Sequence, residues 1–136
     1  MLFRSGLPEP TWDPADDLGT IDTSGTFGPG YYSGGINLVD ALVTQDVTLL
    51  PGVYVLDGNG LIIKSDTIFF AEGVLLYIPP GTGYVDISGT STVHVTPPDP
   101  MQHAFPDAGT YEMVSIFQSR QNNNPSRIIE IGRAHV

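Results

Sequence analysis

The sequence predicts an all-β chain, a fragment of a right-handed parallel β-helix (a solenoid) of about three coils. Three observations lead there. A strand cluster restarts at Gly35, Gly60 and Gly83, a spacing of about 25 and then 23 residues that lies in the solenoid range. Gly, Pro, Asp and Asn punctuate each unit at Pro51-Gly52, Asp57-Gly58-Asn59-Gly60 and Pro79-Pro80-Gly81, corners that need a positive or a fixed φ. Val, Ile, Thr, Tyr and Phe fill the runs between corners, as strands favour. A unit this short cannot bury its apolar side alone, so its neighbours must cover it.

Residues 6–34 are rich in Gly, Pro, Asp, Ser and Thr, with Trp12 and Tyr31-Tyr32 as the bulky anchors. They are expected to form an extended lead-in with turns at Asp13-Pro14 and Gly28-Pro29-Gly30. Residues 35–130 are expected to form the solenoid. Its units open with Ile36–Val39, Leu61–Ile63 and Tyr84–Ile87 and continue with Val47–Leu49, Thr67–Phe70 and Thr92–Val95. The first two units close with Val53–Leu56 and Val74–Ile78. A loop insertion at 97–110, carrying Pro97, Pro98, Pro100 and Pro106, interrupts the third unit before a closing strand expected at Glu112–Phe117. After the polar turn Gln121–Pro125, Arg127-Ile128-Ile129 would open a further coil. The one helix candidate, Leu38–Val43, is too short to be stable alone. Stacking would form inward ladders such as Ile36 near Ile62 near Val85, and would set Asp46 over Asp66.

The two ends read differently. Ile131–Val136 is what one frame of a common short-read sequencing adapter encodes, with Glu130 supplying the leading bases. Met1–Ser5 matches the opposite adapter strand. Both segments, 1–5 and 131–136, are therefore expected to be library-derived rather than part of the domain.

Composition narrows the function classes. The 136 residues carry a net charge of −10. Without the two end segments, Lys64, Arg120 and Arg127 stand against fifteen carboxylates, a net charge near −12. Such a chain repels phosphate backbones and anionic lipid, which argues against nucleic-acid and membrane-surface partners. The carboxylates are scattered rather than run together, so they solvate a surface. With no cysteine, disulfide and thiol chemistry are excluded. No stretch reaches the ~20 apolar residues that cross a bilayer.

Candidate chemistry is sparse. Asp57-Gly58-Asn59-Gly60 lacks the further carboxylates of a calcium loop and reads as an Asx corner. Asp46 and Asp66, as exposed neighbours, would repel by under ~1 kcal/mol and need no ion between them. A polysaccharide-cleaving β-helix of pectate-lyase or polygalacturonase type is the enzymatic alternative. Inverting hydrolysis needs acids ~6.5–9.5 Å apart, and lyase chemistry needs a basic residue, for which only Lys64, Arg120 and Arg127 are at hand. His94, flanked by Val93 and Val95, is expected to face solvent, and His103 sits in the Pro-rich loop with no evident partner. Tyr32, Tyr54, Tyr77, Tyr84 and Tyr111 would stack sugars if several lined one exposed face, although solenoid aromatics more often fill the core. The residues themselves thus assign no catalytic, cofactor-binding or metal position, and no cofactor.

Several strings carry a family resemblance. Gly6-Leu7-Pro8-Glu9-Pro10, Pro29-Gly30-Tyr31-Tyr32-Ser33-Gly34-Gly35-Ile36, Leu50–Asp57 and Gly109–Arg120 resemble the C-terminal β-rich region of TadG-like proteins of Flp (tight adherence) pilus assembly, in planctomycete-like versions. The likeness spans nearly all of residues 6–130. The chain departs from the usual pattern at Glu112-Met113 and Gln118-Ser119 and in a longer insertion at 97–108. The resemblance implies an extracytoplasmic, non-catalytic structural or adhesion segment of the cell envelope. Its partners would be other envelope or pilus proteins or surface glycans. The family's membrane anchor would lie outside this fragment, which itself makes no membrane contact.

Overall fold

The computed structural model describes the chain except residues 1, 4–6, 41, 65, 89–90, 104, 106–107, 113, 126, 129–132 and 136; for 2–3, 127–128 and 133–135 it describes the backbone alone. Of the end segments 1–5 and 131–136, only Leu2–Phe3 and Arg133–His135 thus fall within it. Pro106 and the Arg127 side chain lie outside the described residues.

Among the described residues, fifteen strands form three sheets in which every pairing is parallel. The first sheet stacks β2 (Thr20–Ile21), β5 (Gly35–Leu38), β8 (Gly60–Ile63), β11 (Tyr84–Ile87) and β14 (Arg127–Ile128). The second stacks β3 (Gly25–Phe27), β6 (Gln45–Leu49), β9 (Thr67–Ala71), β12 (Thr92–Val95) and β15 (Arg133–His135). The third runs β4 (Gly30–Tyr32), β7 (Gly52–Leu56), β10 (Val74–Ile78), β13 (Ile116–Gln118) and, last, β1 (Leu2–Phe3). The chain visits the sheets in turn, so the units opening at Gly35, Gly60 and Gly83 are successive coils of a parallel β-helix.

Alternation within each strand sends one face inward. Ile21, Ile36, Leu61 and Val85 form one column of the first sheet. Val47, Phe69 and Val93 form its counterpart on the second. All seven are at most 1% exposed, and each such side chain contributes roughly 2 kcal/mol by leaving water. Tyr32 and Tyr54 stack inside the coil with centroids 6.0 Å apart. Their hydroxyls donate to the carbonyls of Gly28 (2.6 Å) and Leu50 (2.6 Å), so neither buried phenol lacks a partner.

Three expectations are corrected. The ladder partner of Ile36 and Val85 is Leu61, not Ile62, which sits opposite Asn37 and Asp86. The register is set at the corners. Gly60 holds φ +78° with its Cα against the Tyr84 backbone, leaving no slack for a one-residue shift. Asp46 lies beside Ile68, not Asp66. Asp66 sits in the turn before β9, where its carboxylate accepts from Thr44 Oγ1 (3.1 Å). The strand expected at Glu112–Phe117 is Ile116–Gln118. Tyr111 and Glu112 belong to a turn closed by the Val114 amide donating to the Tyr111 carbonyl (3.0 Å).

Residues 6–34 do more than lead in. Thr20–Tyr32 make a short coil of their own, β2 to β4. Ahead of it, residues 7–17 form a strap on the outer face of the third sheet. The strap begins near β13, where Arg120 Nη1 donates to the Leu7 carbonyl (2.9 Å) and Tyr111 Oη to that of Pro8 (2.6 Å). It ends beside β4, where Asp17 bridges to Tyr31. Beneath it Val55, Leu75, Tyr77, Tyr111, Val114 and Phe117 form a second apolar cluster, against which Leu7, Trp12, Tyr31 and Val53 pack.

Candidate functional site

Two of the concave sites on the described surface gather aromatic or titratable side chains. The first is a groove of about 430 Å³ where the strap meets the short first coil. Trp12 stacks on Tyr31 (centroids 6.0 Å, interplanar 13°) and leans on Tyr77 at 6.1 Å. Pro10, Leu18, Pro29, Val53 and Val55 add to the apolar lining, and the exposed Asp13 and Asp16 stand at its rim. Local chemistry fixes each wall. Asp13 caps the Pro14–Asp16 3-10 turn by accepting from the Ala15 amide (2.9 Å), which holds the rim. Tyr31 donates its hydroxyl to Asp57 Oδ2 (3.0 Å). Burial, then the bond to Asp57 and that carboxylate's charge, push the Tyr31 phenol above its ordinary pKa, so it stays a donor at neutral pH.

Asp57 also ties the corner. Its Oδ1 accepts from the Gly58 amide (3.0 Å) and its carbonyl from the Gly60 amide (3.1 Å). Asn59 Nδ2 donates to the Gly34 carbonyl of the coil before (3.0 Å). The corner is thus a backbone β-turn in which Asp57 Oδ1 bonds the next amide rather than the one two residues on that the expected Asx corner would use, and Asp57 also orients Tyr31. Farther along the same edge, Asn122 Nδ2 donates to the carbonyls of Pro79 (2.8 Å) and Gly83 (2.9 Å), and Asn124 Nδ2 to Gly81 (2.8 Å).

The second site is a cleft of about 450 Å³ between the end of the second sheet and the Pro-rich loop. It gathers both histidines, which their sequence positions do not connect. His94 and His103 line it with Glu72, Asp99 and Glu112, alongside Pro97 and Pro98. His94 stacks on the exposed Phe70 (4.8 Å, 12°), and its Nε2 lies 3.9 Å from Glu72. The expectation that His103 has no partner is corrected. Its Nδ1 accepts from the Asp99 amide (3.0 Å), its own amide donates to the Asp99 carbonyl (2.7 Å), and its ring lies against Gly73. With Nδ1 accepting, the neutral ring carries its proton on Nε2. Among the described residues no three His, Asp or Glu side chains converge to hold a metal ion. The cleft offers proton-exchanging groups at its wall.

The remaining candidates are placed apart. Lys64 Nζ pairs with the buried Asp86 (3.4 Å) on the first sheet. Arg120 is held by Glu9 (3.3 Å) at the start of the strap. Of the five tyrosines proposed as a sugar platform, Tyr32, Tyr54, Tyr77 and Tyr111 are buried and Tyr84 is half-buried. The aromatic wall comes from Trp12 and Tyr31 instead. The signal for them was present, as two bulky rings in an otherwise small and polar stretch.

Fold and surface together define a parallel β-helix protein whose first coil is strapped to its later ones. Comparison with protein-family models, curated proteins and solved structures finds no match to this chain.

Proposed function

We propose that the chain is a non-catalytic structural or adhesion segment of a bacterial cell-envelope protein, of the TadG-like kind that serves Flp pilus assembly. It would lie outside the cytoplasm, with other envelope or pilus proteins, or surface glycans, as partners. The strings Pro29–Ile36, Leu50–Asp57 and Gly109–Arg120 support the kinship. One structural observation favours a mechanical role. Several polar and charged side chains are tied from coil to coil or from strap to coil: Glu9 with Tyr77 and Arg120, Lys64 with Asp86, and Asn122 across the corner of the coil before it. The net charge of −10 disfavours nucleic acid and anionic lipid as partners.

A polysaccharide-binding or polysaccharide-cleaving β-helix is the second reading, and the cleft favours it. Glu72, Asp99, Glu112, His94 and His103 line one cavity, the kind of groups acid–base cleavage uses. Incubating the intact protein with pectate, other uronic-acid polymers and neutral glycans separates the readings. Cleavage of any polymer supports an enzyme, and retention without cleavage a lectin-like module. The structural role predicts neither cleavage nor retention.

A further inference from the structure

We propose that the Trp12–Tyr31 groove is a subsite for an amino-sugar glycan, a pyranose ring bearing a free ammonium group. This stands on the groove alone and is independent of the role proposed above. A pyranose is amphipathic: its axial C–H face suits an aromatic wall, and its edge carries polar donors. The groove has both halves. Trp12 and Tyr31 are half-buried and stack in nearly parallel planes (interplanar 13°), and the exposed Asp13 and Asp16 line the same groove. The volume of about 430 Å³ accommodates one or two sugar rings.

Charge complementarity selects the class. The rim carboxylates, in a chain of net charge −10, repel uronates, sulfated sugars and phosphates and attract an ammonium. That ammonium would sit beside Asp13 or Asp16 and within reach of the Trp12 ring, an arrangement cation–π attraction reinforces. Asp57 acts as a positioning residue. Its bond to the Tyr31 hydroxyl keeps that ring stacked on Trp12 without reaching the groove itself.

Trp12 is the sole tryptophan of the chain, so its emission reports on the groove directly. The full chain is titrated with chitosan oligomers, with their fully N-acetylated counterparts, with oligogalacturonate and with an oligolysine peptide. The subsite predicts a saturable change in Trp12 emission with chitosan oligomers, at least tenfold weaker with the acetylated set and absent with oligogalacturonate. Asp16→Asn, an exposed change, is expected to weaken chitosan binding several-fold while the melting temperature holds. Asp57→Asn is expected to weaken it while leaving its dependence on the free amine intact. No saturable change with chitosan oligomers would overturn the proposal. So would equal affinity for the acetylated oligomers, or oligolysine binding as tightly, since the groove would then read something other than an amino sugar.

Discussion

The Tyr77 hydroxyl donates to Glu9 Oε1 at 2.7 Å, joining residues 68 positions apart. Glu9 Oε2 lies 3.3 Å from Arg120 Nη2, so one strap carboxylate engages the coil of β10 and the corner after β13 together. Tyr77→Phe removes the donor while keeping the ring packed under the strap. It is expected to cost about 1–2 kcal/mol, read as a lower denaturation midpoint. The strap peptide bonds should become cleavable by protease well before the coils unfold. A variant as stable and as protected as the parent would contradict the strap's role.

The same carboxylate predicts an acid-side response. Burial raises the Glu9 pKa, but hydrogen bonds from Ser119 and Tyr77 and the charge of Arg120 outweigh it and hold the group below its ordinary 4.5. A depressed pKa in the folded state means the unfolded chain binds the extra proton. The stabilisation is therefore present above about pH 4.5 and is lost as pH falls through the folded value. Glu9→Gln should flatten the loss of stability in that window. An unchanged acid limb in pH-dependent melting would count against it.

At alkaline pH the sign reverses. Burial, followed by the Tyr32 interaction for Tyr54 and the Glu9 bond for Tyr77, pushes both phenols well above their ordinary value of 10. The folded state then holds protons that the unfolded chain gives up. Stability is intact below about pH 10 and falls as pH rises towards the folded values. Phenolate absorbance should show these two rings ionising only together with unfolding. Early ionisation without loss of strand signal would contradict their burial.

Two corner substitutions test the stacking edge. Gly60→Ala places a methyl group against the Tyr84 backbone at φ +78°, where neither strain nor clash can relax cheaply. It is expected to destabilise by 2 kcal/mol or more, on the order of the strain and overpacking terms combined. Asn122→Ala strands the Pro79 carbonyl, while that of Gly83 keeps its bond from Asn124 Nδ2 (3.0 Å), at a cost of about 1–3 kcal/mol. Chemical denaturation measures both. Values within experimental error of the parent would mean that these corners do not hold the coils in place.

Much of this architecture was legible in the sequence, because each coil repeats its own strand–corner pattern. The strands opening near Gly35, Gly60 and Gly83 fall where the apolar runs stand. Register was harder to read, since β8 is buried at all four positions and gives no alternation to choose between Leu61 and Ile62. The short coil β2 to β4 was hidden because its strands run two to three residues, with Ile21 and Tyr32 as their buried apolar anchors. The strap left no local pattern at all. Its identity lies in bonds to residues 68, 103 and 113 positions away. The cleft was missed for the same reason: His94 and His103 meet only because the Pro-rich loop folds back over Gly73.

The parallel stack itself is tested most directly by cysteine pairing, in a chain with no cysteine of its own. Thr48 and Phe70 are register partners on the outer face of the second sheet, and such neighbours lie within the Cα range a disulfide spans. The doubly substituted chain, Thr48→Cys with Phe70→Cys, should oxidise to an intramolecular bridge in the folded monomer. Ser24→Cys with Phe70→Cys, two coils apart, should not. Bridging of the distant pair, or a free Thr48→Cys/Phe70→Cys pair in folded protein, would mean that the coils do not lie on one another in this register.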